Sequence, residues 1–158
     1  MPAQPEPVLD ELYRELILDH YKNPRHHKTL PSPDVTAEGY NPVCGDEVAM
    51  QLDFEGDTLE DIGLHGRGCS ISQASGSMMS ELVTGKSIDE IRRLSAEFTD
   101  MLREPEGEAP EDLGDLEALQ GVAKFAVRVK CATLPWRTLE DGIAQHERGG
   151  GDVQHEEL

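Results

Sequence analysis

Residues 48–65 read VAMQLDFEGDTLEDIGLH, and the period of their apolar positions decides the fold class. Val48, Met50, Leu52 and Phe54 fall on every second residue, the spacing that lines one face of a β-strand. Glu55, Gly56 and Asp57 supply turn chemistry, and Thr58 to His65 returns as the antiparallel partner. A weaker strand over residues 35–40 completes a small three-stranded antiparallel sheet.

On both sides of this hairpin the period lengthens to that of a helix. Leu9, Leu12, Tyr13, Leu16, Ile17 and Tyr21 recur at three- and four-residue steps, and this helix stops near Asn23 and Pro24. His20, Tyr21, Asn23, Pro24 and Arg25 read as helix termination and packing. Residues 70–85, SISQASGSMMSELVTG, put small side chains on one side of a helix that Gly85 ends. Ser87 to Glu90 resembles a capping box opening a further helix with Ile91, Leu94, Phe98, Met101 and Leu102 on its apolar face. Seven acids between residues 103 and 117 predict a solvated loop, followed by a short helix carrying Leu116, Leu119, Val122 and Phe125. Because a proline fits best in a first helical turn, Pro135 predicts that the last helix starts near Ala132 to Leu134, with Cys131 at its mouth.

The expectation is an α+β fold, a small antiparallel sheet packed against several helices. At 158 residues the chain reads as one domain over residues 8–147, between a proline-rich disordered start (1–7) and a disordered tail (148–158).

Charge narrows the function classes. The net charge is −18, from 32 acids against 14 Lys and Arg, a field that repels phosphate backbones and anionic membranes. Neither a nucleic-acid partner nor a membrane is expected. No basic segment followed by an apolar run opens the chain, so it reads as cytoplasmic. In a reducing compartment three cysteines, an odd number, point to metal or thiol chemistry rather than a disulfide framework.

All three cysteines sit at element boundaries: Cys44 before a strand, Cys69 and Cys131 each entering a helix. Helix N-termini lower a thiol's pKa through the dipole and unpaired N–H groups. Three thiolates with Asp46 make a tetrahedral set that zinc accepts. The intervals of 25 and 62 residues do not resemble zinc-finger spacing. Two bland readings therefore stay open: Asp46 bonding its local turn, and Cys69 and Cys131 as small buried hydrophobes. His65 is a rival ligand four residues before Cys69, but with Ile62 and Leu64 facing inward it turns outward.

Four segments together resemble the NifU/IscU superfamily of iron–sulfur assembly proteins, and within it the SufU branch. They are LILDHYKNPRHH (16–27), NPVCGDEV (41–48), GRGCSISQASGSMMSELVTGK (66–86) and VKCATLPWRTLEDGI (129–143). The likeness runs in order over residues 8–146. Scaffold members carry a histidine before the third cysteine, whereas Lys130 stands here, and a protonated lysine cannot ligate a metal. The longer stretch between the second and third cysteines also follows the SufU branch.

The resemblance implies an IscU/NifU-N-like fold and a zinc-bound sulfurtransferase. Cys44, Asp46, Cys69 and Cys131 would be ligands, and Cys44 the acceptor of sulfur. The donor would be a SufS-type, pyridoxal-phosphate-dependent cysteine desulfurase, and the recipient the cluster assembly machinery. Arg128 would pair with Asp46 or a thiolate, or form a surface ion pair. Two alternatives remain: a scaffold binding iron or building a [2Fe–2S] cluster on the same ligands, and a zinc-stapled binding module without chemistry.

Overall fold

A computed structural model describes residues 11–104 and 107–156; the expected disordered start at residues 1–7 lies outside them. The order of elements is α1 (Glu11–Lys22), β1 (Val35–Asn41), β2 (Asp46–Glu55), β3 (Thr58–Arg67), α2 (Ser70–Val83), α3 (Ile88–Met101), a 3₁₀ segment (Glu111–Lys124), α4 (Ala126–Glu147) and β4 (Gly151–Glu156).

The hairpin forms as its period dictates. Val48, Met50 and Leu52 are buried while Ala49, Gln51 and Asp53 are not, and Leu52 pairs with Ile62 across the turn. The register shifts between Asp53 and Phe54, which turns Phe54 onto the His146 ring with centroids 3.9 Å apart. β1 pairs antiparallel with β2, Asn41 opposite Asp46. The helices cover one face of the sheet. α4 packs along β1 and β4, α2 wedges between α1 and α4, and Phe98 and Trp136 stack inside at 5.5 Å. α2 can approach both neighbours because Ser72, Ala74, Ser75, Gly76, Ser77 and Ser80 line its buried side.

Four expectations need correction. The sheet has four strands and is mixed, in the order β3-β2-β1-β4, with β4 parallel to β1. β4 is drawn from the tail expected to be disordered. Its glycine run acts as a turn: Gly149, Gly150 and Gly151 all take positive φ, and Gln145 Nε2 donates to the Gly150 carbonyl at 2.7 Å. The strand is then held by backbone pairing and by His155 against Asp141 at 2.7 Å, neither of which leaves an apolar period to read.

The last helix starts six residues earlier than Pro135 suggested, at Ala126 rather than Ala132, so Cys131 lies in its second turn. The proline ring removes one N–H from the ladder, and Ser75 Oγ donates to the Ala132 carbonyl at 2.6 Å in the disturbed turn. Finally, the acidic stretch joins the core from Glu111 onward, burying Leu113 and Leu116, with Tyr13 donating to Glu117 at 3.0 Å.

Candidate metal centre

Three element junctions meet at one end of the sheet. Cys44 lies in the turn from β1 to β2, closed by the Gly45 N–H on the Asn41 carbonyl at 2.7 Å and the Val43 N–H on Asn41 Oδ1 at 3.0 Å. Asp46 begins β2 and is 1% exposed. Cys69 is the N-cap of α2, its Sγ accepting the Ser72 N–H at 3.5 Å. Cys131 is fully buried on α4.

Three of the four predicted side chains, Cys44, Asp46 and Cys131, form one group, and the fourth, Cys69, adjoins it. Cys131 Sγ is 3.5 Å from Cys44 Sγ, and Cys69 Sγ is 3.7 Å from Asp46 Oδ2. Ligand atoms of Cys44, Asp46 and Cys131 all lie within 4.8 Å of one another. Cys69 adjoins that trio through Asp46 and through a hydrogen bond with Cys131. Zinc–sulfur bonds of about 2.3 Å and zinc–oxygen bonds of about 2.0–2.2 Å in a tetrahedron require edges of about 3.8 Å (S to S) and about 3.6 Å (S to O). The two short edges, Cys44 to Cys131 and Cys69 to Asp46, are near these values, and three sulfurs with one carboxylate fit zinc in softness.

At Cys69 the electrostatics favour thiolate. The Cys69 thiol is pulled from 9.0 down to about 6, chiefly by the hydrogen bond from Cys131 and further by the N–H groups of Ser72 and Ile71, against its burial. Cys131 is pushed up, first by that same bond and then by burial, so it is the partner that keeps its proton. Arg128 sits with these sulfurs: charge on Cys69 is the leading cause holding its guanidinium above the usual value.

Gly68 is a part of the site that sequence reasoning did not single out. With φ at 144°, it lies so close that a Cβ there would collide with Asp46 Oδ1. Glycine lets Asp46 Oδ1 take the Cys69 N–H at 2.8 Å. The only available signal was a glycine directly before a cysteine. His65 is elsewhere, bonded to the Lys28 carbonyl at 3.0 Å and facing the His27 ring. A second group, His20 with Glu81 and Asp115, ties α1 to the 3₁₀ segment; the Arg25 guanidinium 3.8 Å from Glu81 already supplies its cation.

The family profile described as the NifU-like N terminal domain matches residues 12–132. The chain is 48% identical over 141 residues to the zinc-dependent sulfurtransferase SufU of Bacillus subtilis, covering 89% of this chain and 95% of that protein. It is 42% identical over 143 residues to the iron-sulfur cluster assembly scaffold protein IscU of Streptococcus pyogenes, covering 87% and 89% respectively. The crystal structure of the N-terminal part of a nitrogen-fixing NifU-like protein from Brucella abortus superposes with a TM-score of 0.80 at 28% identity, covering 88% of this chain and 96% of that one.

Proposed function

The chain belongs to the NifU-like N-terminal domain family, and from that premise we propose that it is a zinc-dependent sulfurtransferase of iron–sulfur cluster assembly. Cys44 accepts a sulfur atom from the persulfide of a PLP-dependent cysteine desulfurase of the SufS type. It then passes that atom to the assembly machinery. Cys44, Asp46, Cys69 and Cys131 would hold the zinc, which would keep the thiols deprotonated.

One observation carries the choice of acceptor. Cys69 is fixed in a helix cap and Cys131 within a helix, whereas Cys44 sits in a four-residue turn beside Val43, which is 73% exposed. Cys44 alone can move outward without unpicking a helix. Its thiolate attacks the outer sulfur of the donor's Cys–S–SH. The donor's S–S bond breaks, its cysteine leaves as a thiolate with the electron pair, and Cys44 becomes the hydropersulfide. No net oxidant is consumed. Arg128, beside the sulfurs, offsets the negative charge gathered there.

The scaffold reading has the Streptococcus pyogenes relative in its favour, since that protein is named a scaffold. Against it stands Lys130, which precedes the third cysteine and offers no lone pair while protonated. Incubation with the desulfurase and cysteine, followed by peptide mass analysis, separates the readings. Sulfur added to Cys44, with zinc retained and none added in Cys44→Ser, supports transfer. A coloured cluster that reconstitutes anaerobically and moves to an apo-acceptor supports the scaffold. A Cys44→Ser protein that still fully activates the desulfurase supports a binding module.

Among the described residues no helix is long and apolar enough to cross a membrane.

A further inference from the structure

Asn41 ends β1 and holds the turn that carries Cys44. Its Oδ1 accepts the Val43 N–H at 3.0 Å and its carbonyl accepts the Gly45 N–H at 2.7 Å, so both neighbours of Cys44 are tied to one residue. Pro42 stiffens the same turn through its fixed φ. The remaining side-chain group, Nδ2, is buried and has no acceptor among the described residues. A buried donor in that condition is uncommon, because the hydration it gives up is not replaced. Turning the amide over is no remedy, since Oδ1 would then leave the Val43 N–H.

The position of Asn41 indicates what Nδ2 is for. β1 buries Val35, Ala37, Gly39 and Asn41 on the face the helices cover, and Asp46, paired directly with Asn41, begins the same alternation on β2. Cys69 at the cap of α2 and Cys131 on α4 come to that face. Among the described residues Cys44 Sγ receives a hydrogen bond only from the Cys131 thiol at 3.5 Å, whereas Cys69 Sγ also takes the Ser72 backbone N–H. Ligation would require Cys131 to give up its proton. Cys69 would keep a donor, and Cys44 would be left with none.

We propose that Asn41 is a positioning residue for the sulfur acceptor: Oδ1 shapes the turn, and Nδ2 donates to the Cys44 sulfur when that sulfur is a thiolate. The proposal rests on the sulfur-transfer reading, in which Cys44 is the nucleophile. An N–H on a thiolate is a charge-assisted hydrogen bond, directional as well as attractive, so it sets the direction in which Cys44 presents its other lone pairs. No covalent bond forms or breaks at Asn41, which acts only through Cys44.

Nuclear magnetic resonance of the zinc-loaded, 15N-labelled protein reads the bond itself. The Asn41 Nδ2 protons should resonate downfield of ordinary side-chain amides in the wild type and return to the ordinary position in Cys44→Ala. Kinetics then separate the two tasks of the residue. Asn41→Asp keeps the oxygen that takes the Val43 N–H but replaces the donor with a second acceptor; Asn41→Ala removes both. With the desulfurase as donor, Asn41→Asp should lower the saturating rate of persulfide formation on Cys44 about tenfold and leave the half-saturating donor concentration within about twofold. Asn41→Ala should lower the rate at least as far and also reduce the melting temperature of the metal-free protein. Zinc content and the circular dichroism spectrum check that each variant is folded. Nδ2 protons at the ordinary position in the wild type, with normal persulfide formation, overturn this inference and leave sulfur transfer standing. Asn41→Asp at the wild-type rate also overturns it, making Asn41 a turn-former only. No persulfide on wild-type Cys44 at any donor concentration overturns both readings.

Discussion

Asp46 Oδ1 accepts the backbone N–H of Cys69 at 2.8 Å while Oδ2 lies 3.7 Å from the same residue's sulfur. One carboxylate thus fastens the start of β2 to the start of α2 and faces the sulfurs with its second oxygen. One side chain serves both the fold and the proposed ligand set.

Asp46→Ala therefore loses more than a ligand. It leaves the Cys69 N–H without its acceptor, a loss of about 1–3 kcal/mol in a buried setting. Thermal melting of the metal-free protein should show this destabilisation, and zinc competition with a chromophoric chelator should show weaker binding. Asp46→Asn keeps an acceptor and should recover much of the stability but little of the zinc affinity.

Gly68→Ala puts a methyl group against Asp46 Oδ1. The carboxylate or the β3-to-α2 junction has to shift, so the variant should bind zinc more weakly although all four proposed ligands are present. Chelator competition against the wild type checks it. Unchanged affinity would mean that the junction relaxes without moving Asp46.

The Cys69 thiol titrates well below an ordinary thiol, at about 6. In metal-free protein, iodoacetamide labelling read by peptide mass should show Cys69 reacting with a midpoint near pH 6, and Cys131, raised and buried, protected. A folded pKa below the unfolded one means that Cys69's contribution is present above the unfolded thiol value and is lost as pH falls through about 6. The raised Cys131 acts oppositely, its contribution present below the unfolded thiol value and fading as pH climbs above it. Arg128→Gln removes the cation paired with Cys69 and should shift the labelling midpoint upward without greatly changing stability, since Arg128 is exposed.

Ending the chain after Arg148 removes β4 and bares the β1 edge. The truncated protein should melt at lower temperature yet keep its zinc, because every proposed ligand lies outside the lost strand. Equal melting temperatures would mean that β4 adds nothing to the stability of β1.

Much of this was legible beforehand because it rests on period and boundary chemistry. The alternation of Val48, Met50 and Leu52 gave the hairpin, and Ser87 caps α3 through the Glu90 N–H as its spacing suggested. The grouping of Cys44, Asp46, Cys69 and Cys131 did not follow from spacing; the family likeness supplied it, and the structure brings Cys44, Asp46 and Cys131 within 4.8 Å of one another with Cys69 3.7 Å from Asp46. β4 escaped notice because parallel pairing to β1 works through backbone, and polar residues with three glycines carry no apolar period. The start of α4 was misplaced because tertiary packing carries the helix through the proline: Pro135 lies against Gly76 of α2, and Ser75, 57 residues from Ala132 in sequence, bonds the Ala132 carbonyl. Arg128's place beside the sulfurs likewise depends on tertiary packing.

The most direct test of the account is the zinc K-edge X-ray absorption spectrum of the purified protein, set beside that of Cys44→Ser. The account predicts three sulfurs at about 2.3 Å and one oxygen at about 2.0 Å in the wild type, with one sulfur lost in the variant. A first shell of nitrogen and oxygen alone, or one that Cys44→Ser leaves untouched, would contradict it.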